Sequence, residues 1–312
     1  MNVSEDVWVV RTGGDVSADA EAVLEGLQGD RHLVLESAEE WDEFAEMIRA
    51  SHPRTIVAAG GDGTVNGVVR ALGPGSDTCL GIVPLGTGND FARGLGLPTD
   101  PEDAASVIRA GHVAHVDLLS LAVDDDADSM EVSDAEAGEI VVNAVTVGLS
   151  GAIHAELDDE LKARWGRFAY IRAALTAAAE MEPFEAVIEV VREESSEMER
   201  LWSGGLLHVS FANGPTAGGG VPLAPEADPA DGLLELCGVA EGTVWEVGSA
   251  VPGVLSEGPS PEPWLVESVR AARLTLPEPM QLSVDGDTRR ARVIALRVLP
   301  RALKVHIASP FG

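Results

Sequence analysis

The stretch Thr55 to Leu72, TIVAAGGDGTVNGVVRAL, decides the fold. An apolar, strand-like run from Thr55 to Ala59 enters a loop with glycines at 60, 61 and 63, and a helical pattern leaves it at Val65. That order places the loop at the carboxyl end of a parallel strand, where open α/β sheets bind their ligands. Gly60, Gly61 and Gly63 let the backbone approach phosphate oxygens, and the following helix turns its N–H groups and positive dipole end toward them. Thr64 adds a hydroxyl donor. Asp62 cannot face a run of phosphates without a countercharge, so it predicts a bridging Mg²⁺.

A second loop of the same kind follows the strand-like Leu80 to Pro84: Gly86, Thr87, Gly88 and Asn89, then DFARGL with Asp90 near a helix start. Two such loops on successive strand–helix units support one phosphate site better than either alone. The chain contains no GxxxxGK[ST] and no GxGxxG opening a helix, which argues against a P-loop enzyme and a dinucleotide fingerprint.

Working outward, VWVV, Ala18 to Leu27, HLVL and Trp41 to Ala50 lead into TIVAA with the β-α-β-α-β rhythm of a parallel sheet. The rhythm continues to a helix capped by Asp100, opened by Pro101 and ended at Gly111. Beyond Asp117 the pattern becomes longer strands: EIVVNAVTVGL, EAVIEVV, LLHVSFANG and ARLTLP. The expected fold is therefore an α/β domain with a parallel sheet, followed by a β-rich antiparallel domain, with a cleft between them. Two helical stretches interrupt the second part, His154 to Met181 with a break at Gly166, and Thr243 to Leu255 with Pro252 inside.

At 312 residues the chain suits two cores, since single cores stop growing near ~250–300 residues. No apolar run reaches the roughly 20 residues of a membrane span, and MNVSEDVWVV lacks the basic opening and apolar stretch of a secretory signal. A cytoplasmic location with peripheral membrane contact is expected. The formal charge is −31, from 52 Asp plus Glu against 21 Lys plus Arg, a balance that repels nucleic acid and reads as adaptation to concentrated salt. Asp124 to Glu139 reads as a solvated loop between strands. Cys79 and Cys237 sit in apolar contexts and the histidines lack ligand spacing, so neither a disulfide framework nor a zinc site is expected.

GGDGTVNGVV followed by VPLGTGNDFARGLGLP resembles the catalytic domain of the diacylglycerol kinase-like lipid kinases, which include bacterial phosphatidylglycerol kinase homologues and the sphingosine kinases. The resemblance continues in order through VVNAVTVGLSGAI, APEADPADGLLEL, VDGD and LPRALKV, and so spans nearly the whole chain. It implies NAD kinase- and phosphofructokinase-like architecture, with residues 1–117 and a return of about 300–312 forming an ATP-binding domain, and 118–299 a substrate domain. It implies transfer of the γ-phosphate of ATP to a lipid hydroxyl at a membrane surface; a homodimer is left open. Nucleotide contacts carried over by position fall on Gly60, Gly61, Asp62, Gly63, Thr64, Val65, Asn66 and Thr87, with Asn89 in the same second loop. DPADGL matches the family's structural Mg²⁺ loop, which uses the Asp231 side chain and the carbonyls of Asp228 and Leu233. The family's DGE turn, source of the general base, reads Asp285, Gly286, Asp287 here; Asp287 holds the Glu position, one methylene shorter, and Asp285 is expected to share its role.

The chain departs from the family in two places: Gly67 stands where a Glu is usual, and Arg11, Thr12, Gly13 and Gly14 replace an Asn-Pro and Ser-Gly turn. Two rivals stand beside the lipid kinase: an NAD kinase, which shares GGDGT but not PLGTGNDFAR, and a catalytically silent nucleotide sensor.

Overall fold

The computed structural model describes residues 6–14, 16–27, 29–125, 130–148, 182–241 and 264–308. The helical stretches expected at His154 to Met181 and Thr243 to Leu255 lie outside these residues.

The first part of the chain alternates strands and helices: β1 (Val7–Thr12), α1 (Ala18–Gly26), β2 (Arg31–Leu35), α2 (Ala38–Ser51), β3 (Thr55–Gly60), α3 (Asp62–Leu72) and β4 (Cys79–Pro84). A short helix α4 (Asp90–Gly94), α5 (Pro101–Ala110) and β5 (Val113–Asp124) follow. Strand β1 lies between β2 and β3, and β3 pairs with β4, all in parallel register. Local chemistry sets the helix boundaries. Ser17 caps α1 through its Oγ, Ser37 and Glu40 close a capping box on α2, and Asp100 accepts from the amides of Glu102 and Asp103 at the start of α5. Gly111 ends α5 in the left-handed region at φ 74°.

The remaining strands are β6 (Glu139–Val141), β7 (Ala144–Gly148), β8 (Phe184–Val191), β9 (Met198–Ala212), β10 (Thr216–Ala217), β11 (Val221–Pro222), β12 (Leu234–Ala240), β13 (Trp264–Val269), β14 (Ala271–Val284) and β15 (Asp287–His306). Their pairings are antiparallel apart from the end of β15, where Lys304 and Val305 run parallel to Cys79 and Leu80 of β4. Between β5 and β6, Val132–Ala137 forms a 3-10 helix rather than only loop.

Two apolar clusters follow from this layout. One holds Phe44, Ile56, Val68, Leu80, Leu118 and Leu303; the other holds Ile188, Phe211, Leu236, Leu274 and Leu296 together with Leu119. Neighbours Leu118 and Leu119 thus point into different clusters, because side chains alternate along a strand. Strand β15 makes the same transfer across a register shift between Leu299 and Leu303, where Arg301 adopts φ 55°. Strands β5 and β15 carry the chain from one core to the other.

The strand-rich part of the main sheet carries, on its face away from the second cluster, polar residues beside a small apolar group that includes Ala144 and Ala212. Its pairings align Cys237, Ser210, Thr146, Ser283 and Thr288 in one row across five strands. His208 lies on this face, buried, and desolvation pushes its pKa down to about 4, so it is neutral at physiological pH.

Helices α2 and α3 pack together through Gly67 and Trp41. A Cβ on Gly67 would stand 2.5 Å from the indole Cη2 and 2.7 Å from Cζ2, so the side chain expected from the family has no room. Gly67→Ala is predicted to destabilise by about 1–3 kcal/mol through overpacking, more than the ~1 kcal/mol that alanine gains in helix propensity. Urea denaturation reads the effect, and adding Trp41→Leu should reverse it. A single variant as stable as the parent would show that the indole yields freely.

Candidate active site

The helix after the first glycine loop starts earlier than its sequence pattern indicates. Helix α3 begins at Asp62, because the amides of Thr64 and Val65 both reach the carbonyl of Gly61, at 3.0 and 3.1 Å. Asp62, Gly63 and Thr64 therefore form its first turn. The N-cap, Gly61, supplies no side-chain acceptor, and neither does Asn89 at the head of α4, whereas α1, α2 and α5 are all capped by side chains. The start of α3 thus keeps amide donors without a side-chain partner, whereas the first amide of α4, that of Asp90, is taken by the Asp62 carboxylate.

The two loops touch backbone to backbone. A Cβ on Gly86 would lie 2.5 Å from the Cα of Gly61, and one on Gly61 would lie 3.2 Å from the Cα of Gly86. The amide of Leu85 also donates to the carbonyl of Gly60 at 2.9 Å. Only glycine fits at this seam. Thr87 is exposed on the second loop. Asn89, in the left-handed region at φ 52°, spends its amide side chain on Gly86, donating to its carbonyl at 2.7 Å and accepting from its N–H at 3.1 Å. Asn89 therefore braces the loop. Val65 is buried in the first core, and Asn66 is buried with its Oδ1 unpartnered. Thr64 shares a hydroxyl hydrogen bond of 2.9 Å with Thr12, so the altered turn after β1 does reach the glycine loop.

Two carboxylates meet at the seam. Asp62 accepts from the amide of Asp90 at 2.7 Å, and its pKa is pushed up by burial and then by the charge of Asp90. Asp90 in turn accepts from the amides of Gly219 and Gly220, at 2.7 and 2.6 Å. Those glycines sit in the turn between β10 and β11, where Gly218, Gly219 and Gly220 have φ of 65°, 90° and 92°. Asp90 thereby fastens the second glycine loop to the strand-rich half of the molecule.

A second tie joins the late carboxylates to the middle of the chain. Asp285, at φ 51°, accepts from the amides of Val142, Asn143 and Ala144 at 2.8, 2.8 and 3.1 Å. Burial pushes its pKa up, with these three donors opposing the shift. Asn213 donates to the carbonyls of Asp117 and Val142, both at 3.0 Å. The wholly buried Asp117 accepts from Gly232 at 2.7 Å and Arg301 at 2.6 Å. One network therefore links the DPADGL loop, β5, the bend in β15 and the DGD turn.

Asp287 emerges from that turn with a largely exposed side chain. Its Oδ2 lies 3.5 Å from Nη1 of Arg70 and 3.8 Å from Nη2 of Arg289, and both arginines also meet Glu139. Arg70 stands eight residues after Asp62 on the same helix, roughly 12 Å along its axis. Helix α3 thus presents the phosphate loop at its start and braces Asp287 two turns later.

In DPADGL, Asp228 accepts from Ala230 at 3.0 Å and Asp231 from Leu233 at 2.8 Å. Burial pushes the Asp231 pKa up, and the nearby charges of Asp228, Asp117 and Glu235 add to the shift. Crowded carboxylates and carbonyls form a hard oxygen set that suits Mg²⁺. Among the described residues no three carboxylate, imidazole or thiol groups converge on one point, so carbonyls would have to complete the shell.

Sequence reasoning missed Thr12, Arg70, Asn213 and the tying roles of Asp90 and Asp117. An Asp inside the apolar run HVDLLSL was the available signal for Asp117.

Comparison with known proteins agrees with this arrangement. Residues 11–121 match the diacylglycerol kinase catalytic domain family, and residues 143–307 match the YegS C-terminal NAD kinase beta sandwich-like domain. A Pectobacterium atrosepticum protein named "Probable lipid kinase YegS-like" is 31% identical over 86% of this chain and 82% of its own. A Klebsiella pneumoniae protein of the same name is 32% identical over 81% of this chain and 77% of its own. In fold, a diacylglycerol kinase structure from Bacillus anthracis superposes with a TM-score of 0.70 at 17% identity, covering 99% of both chains. An NAD kinase from Archaeoglobus fulgidus, solved in complex with ATP, reaches 0.52 at 13% identity over 97% of this chain and 94% of its own. With both halves of the chain matched in order and relatives of this identity across most of its length, the protein belongs to the diacylglycerol kinase-like, YegS-type lipid kinase family and is a phosphotransferase.

Proposed function

We propose that this protein transfers the γ-phosphate of ATP to the hydroxyl of a lipid. The observation that carries the reading is the seam of Gly61 and Gly86, two glycine loops in backbone contact, the first of which opens α3 with no side-chain cap. The uncapped amides at the start of α3 and the bare glycine backbone of both loops suit phosphate oxygens. Asp287 takes the role of general base. The acceptor oxygen forms its bond to the γ-phosphorus as its proton passes to the Asp287 carboxylate, and the bond from that phosphorus to the β,γ-bridging oxygen breaks, releasing ADP. Asp285 is assigned a positioning role in place of the shared base expected from sequence, since three backbone amides already occupy its oxygens. Mg²⁺ held by the Asp231 carboxylate and the carbonyls of Asp228 and Leu233 would supply charge neutralisation to the crowded loop. Asp62, which accepts from the Asp90 amide, also feels the charge of the Asp90 carboxylate, and this pair at the phosphate end calls for a countercharge.

The test offers labelled ATP and Mg²⁺ with a detergent-dispersed lipid extract, and separately with NAD. Labelled lipid, identified by mass spectrometry, is the expected product. Phosphorylation of NAD alone would replace the lipid reading by an NAD kinase, and ATP binding without turnover would mark a silent sensor.

A further inference from the structure

Residues 288–308 carry five arginines and one lysine with no Asp or Glu, in a chain whose net charge is −31. This local reversal begins immediately after Asp287, on the hairpin formed by β14 and β15. Gln281 faces Arg290 and Ser283 faces Thr288 across the hairpin, which puts Gln281, Thr288 and Arg290 on one face. With Pro279 and Arg289 they line a surface depression of about 570 Å³. Arg290 is exposed; its Nε donates to the carbonyl of Pro279 at 3.1 Å, and its terminal nitrogens make no ion pair or hydrogen bond among the described residues. Arg289 is held differently, donating to the Thr288 carbonyl and to Glu139 at 3.2 Å each. The only carboxylate on the adjoining bulge of β14 is Glu278.

We propose that this depression docks the anionic headgroup of a membrane phospholipid, with the guanidinium of Arg290 on the phosphate, and so brings the Asp287 turn to the membrane surface. The inference rests on the lipid-kinase reading for its purpose but not for its geometry. A guanidinium with free terminal N–H groups matches a phosphate in a fork, and Gln281 and Thr288 add neutral donors beside it. Charge selects the occupant: Arg289, Arg297 and Lys304 of this run are paired with Glu139, Glu136 and Asp77, whereas the terminal nitrogens of Arg290 remain for an anionic headgroup in a chain otherwise this acidic. At physiological ionic strength screening acts over about 8 Å, which weakens repulsion from distant carboxylates while sparing a contact pair. The competing role for Arg290 is to guard the edge of β15, since residues 287–291 pair only with β14 among the described strands.

The test is flotation of the full-length protein with vesicles of phosphatidylcholine alone and of equal parts phosphatidylcholine and phosphatidylserine. Phosphatidylserine has no free hydroxyl and so reports docking rather than acceptor binding. The protein should bind the mixed vesicles in preference to the neutral ones. Arg290→Gln should lower that binding about fivefold and Arg290→Glu further, with the melting temperature and turnover on detergent-dispersed lipid unchanged. Inorganic phosphate should compete no better than chloride at equal ionic strength. Unchanged vesicle binding in both variants overturns the proposal in favour of an edge guard, and selective displacement by inorganic phosphate overturns it in favour of a soluble-anion site. Loss of lipid phosphorylation by the parent protein with vesicle binding intact would instead sink the kinase reading alone.

Discussion

Asp285→Ala is expected to lower the free energy of unfolding by about 3–5 kcal/mol, read as a shift in denaturant midpoint at unchanged slope. Three backbone donors, from Val142, Asn143 and Ala144, lose their common acceptor. Leaving a buried donor unmade costs about 1–3 kcal/mol, and water that enters the space offsets part of the sum. Alanine is also a poorer occupant than aspartate of the left-handed backbone at φ 51°. Because the same carboxylate fixes where the hairpin turns, phosphorylation should fall with stability. Asp285→Asn keeps one accepting oxygen and should retain about half of the stabilisation. An Ala variant within ~0.5 kcal/mol of the parent would show that the network does not hold the turn.

Asp287→Asn should give the opposite profile. Its side chain is more than half exposed, at 57%, and its ion pairs with Arg70 and Arg289 are long, at 3.5 and 3.8 Å. Exposed pairs of this kind contribute about 0–1 kcal/mol, so the melting temperature should hardly move. Loss of a general base costs about 10²- to 10⁴-fold in turnover. The expected result is a fall of that size in kcat with ATP binding retained. Turnover within threefold of the parent would remove Asp287 from the proton-transfer step. Measured together, the two variants separate a residue that positions the turn from one that acts in it.

In the sequence these two residues could not be told apart. The DGD triplet offers two carboxylates at the ends of a turn, and nothing within ten residues says which is occupied. Asp285 finds its partners more than 140 positions earlier, in a strand pair that local pattern does not connect to the turn. The same holds for Asp90, whose place at a helix start suggests a simple cap, while its oxygens go to glycines about 130 residues away. Gly67 read as a weakness in a helix; Trp41 on the neighbouring helix makes it a packing requirement.

The features legible along the chain were those fixed by neighbours in sequence. Asp100, Pro101 and Gly111 bound α5 because caps, proline and left-handed glycine act within a single turn. The glycine loop at 60 to 64 announced a phosphate cradle for the same reason, since steric freedom and a helix dipole are properties of the segment itself. Its first residues proved to be helix, a shift of three positions set by hydrogen bonds to Gly61. Only the tertiary structure decided that this loop lies against Gly86, that Thr12 reaches Thr64, and that Arg70 on the same helix braces Asp287. Periodicity and turn chemistry report the conformation of a segment, whereas side-chain roles at a site depend on hydrogen bonds and charges from segments far apart in the chain, and those exist only once the cores have packed.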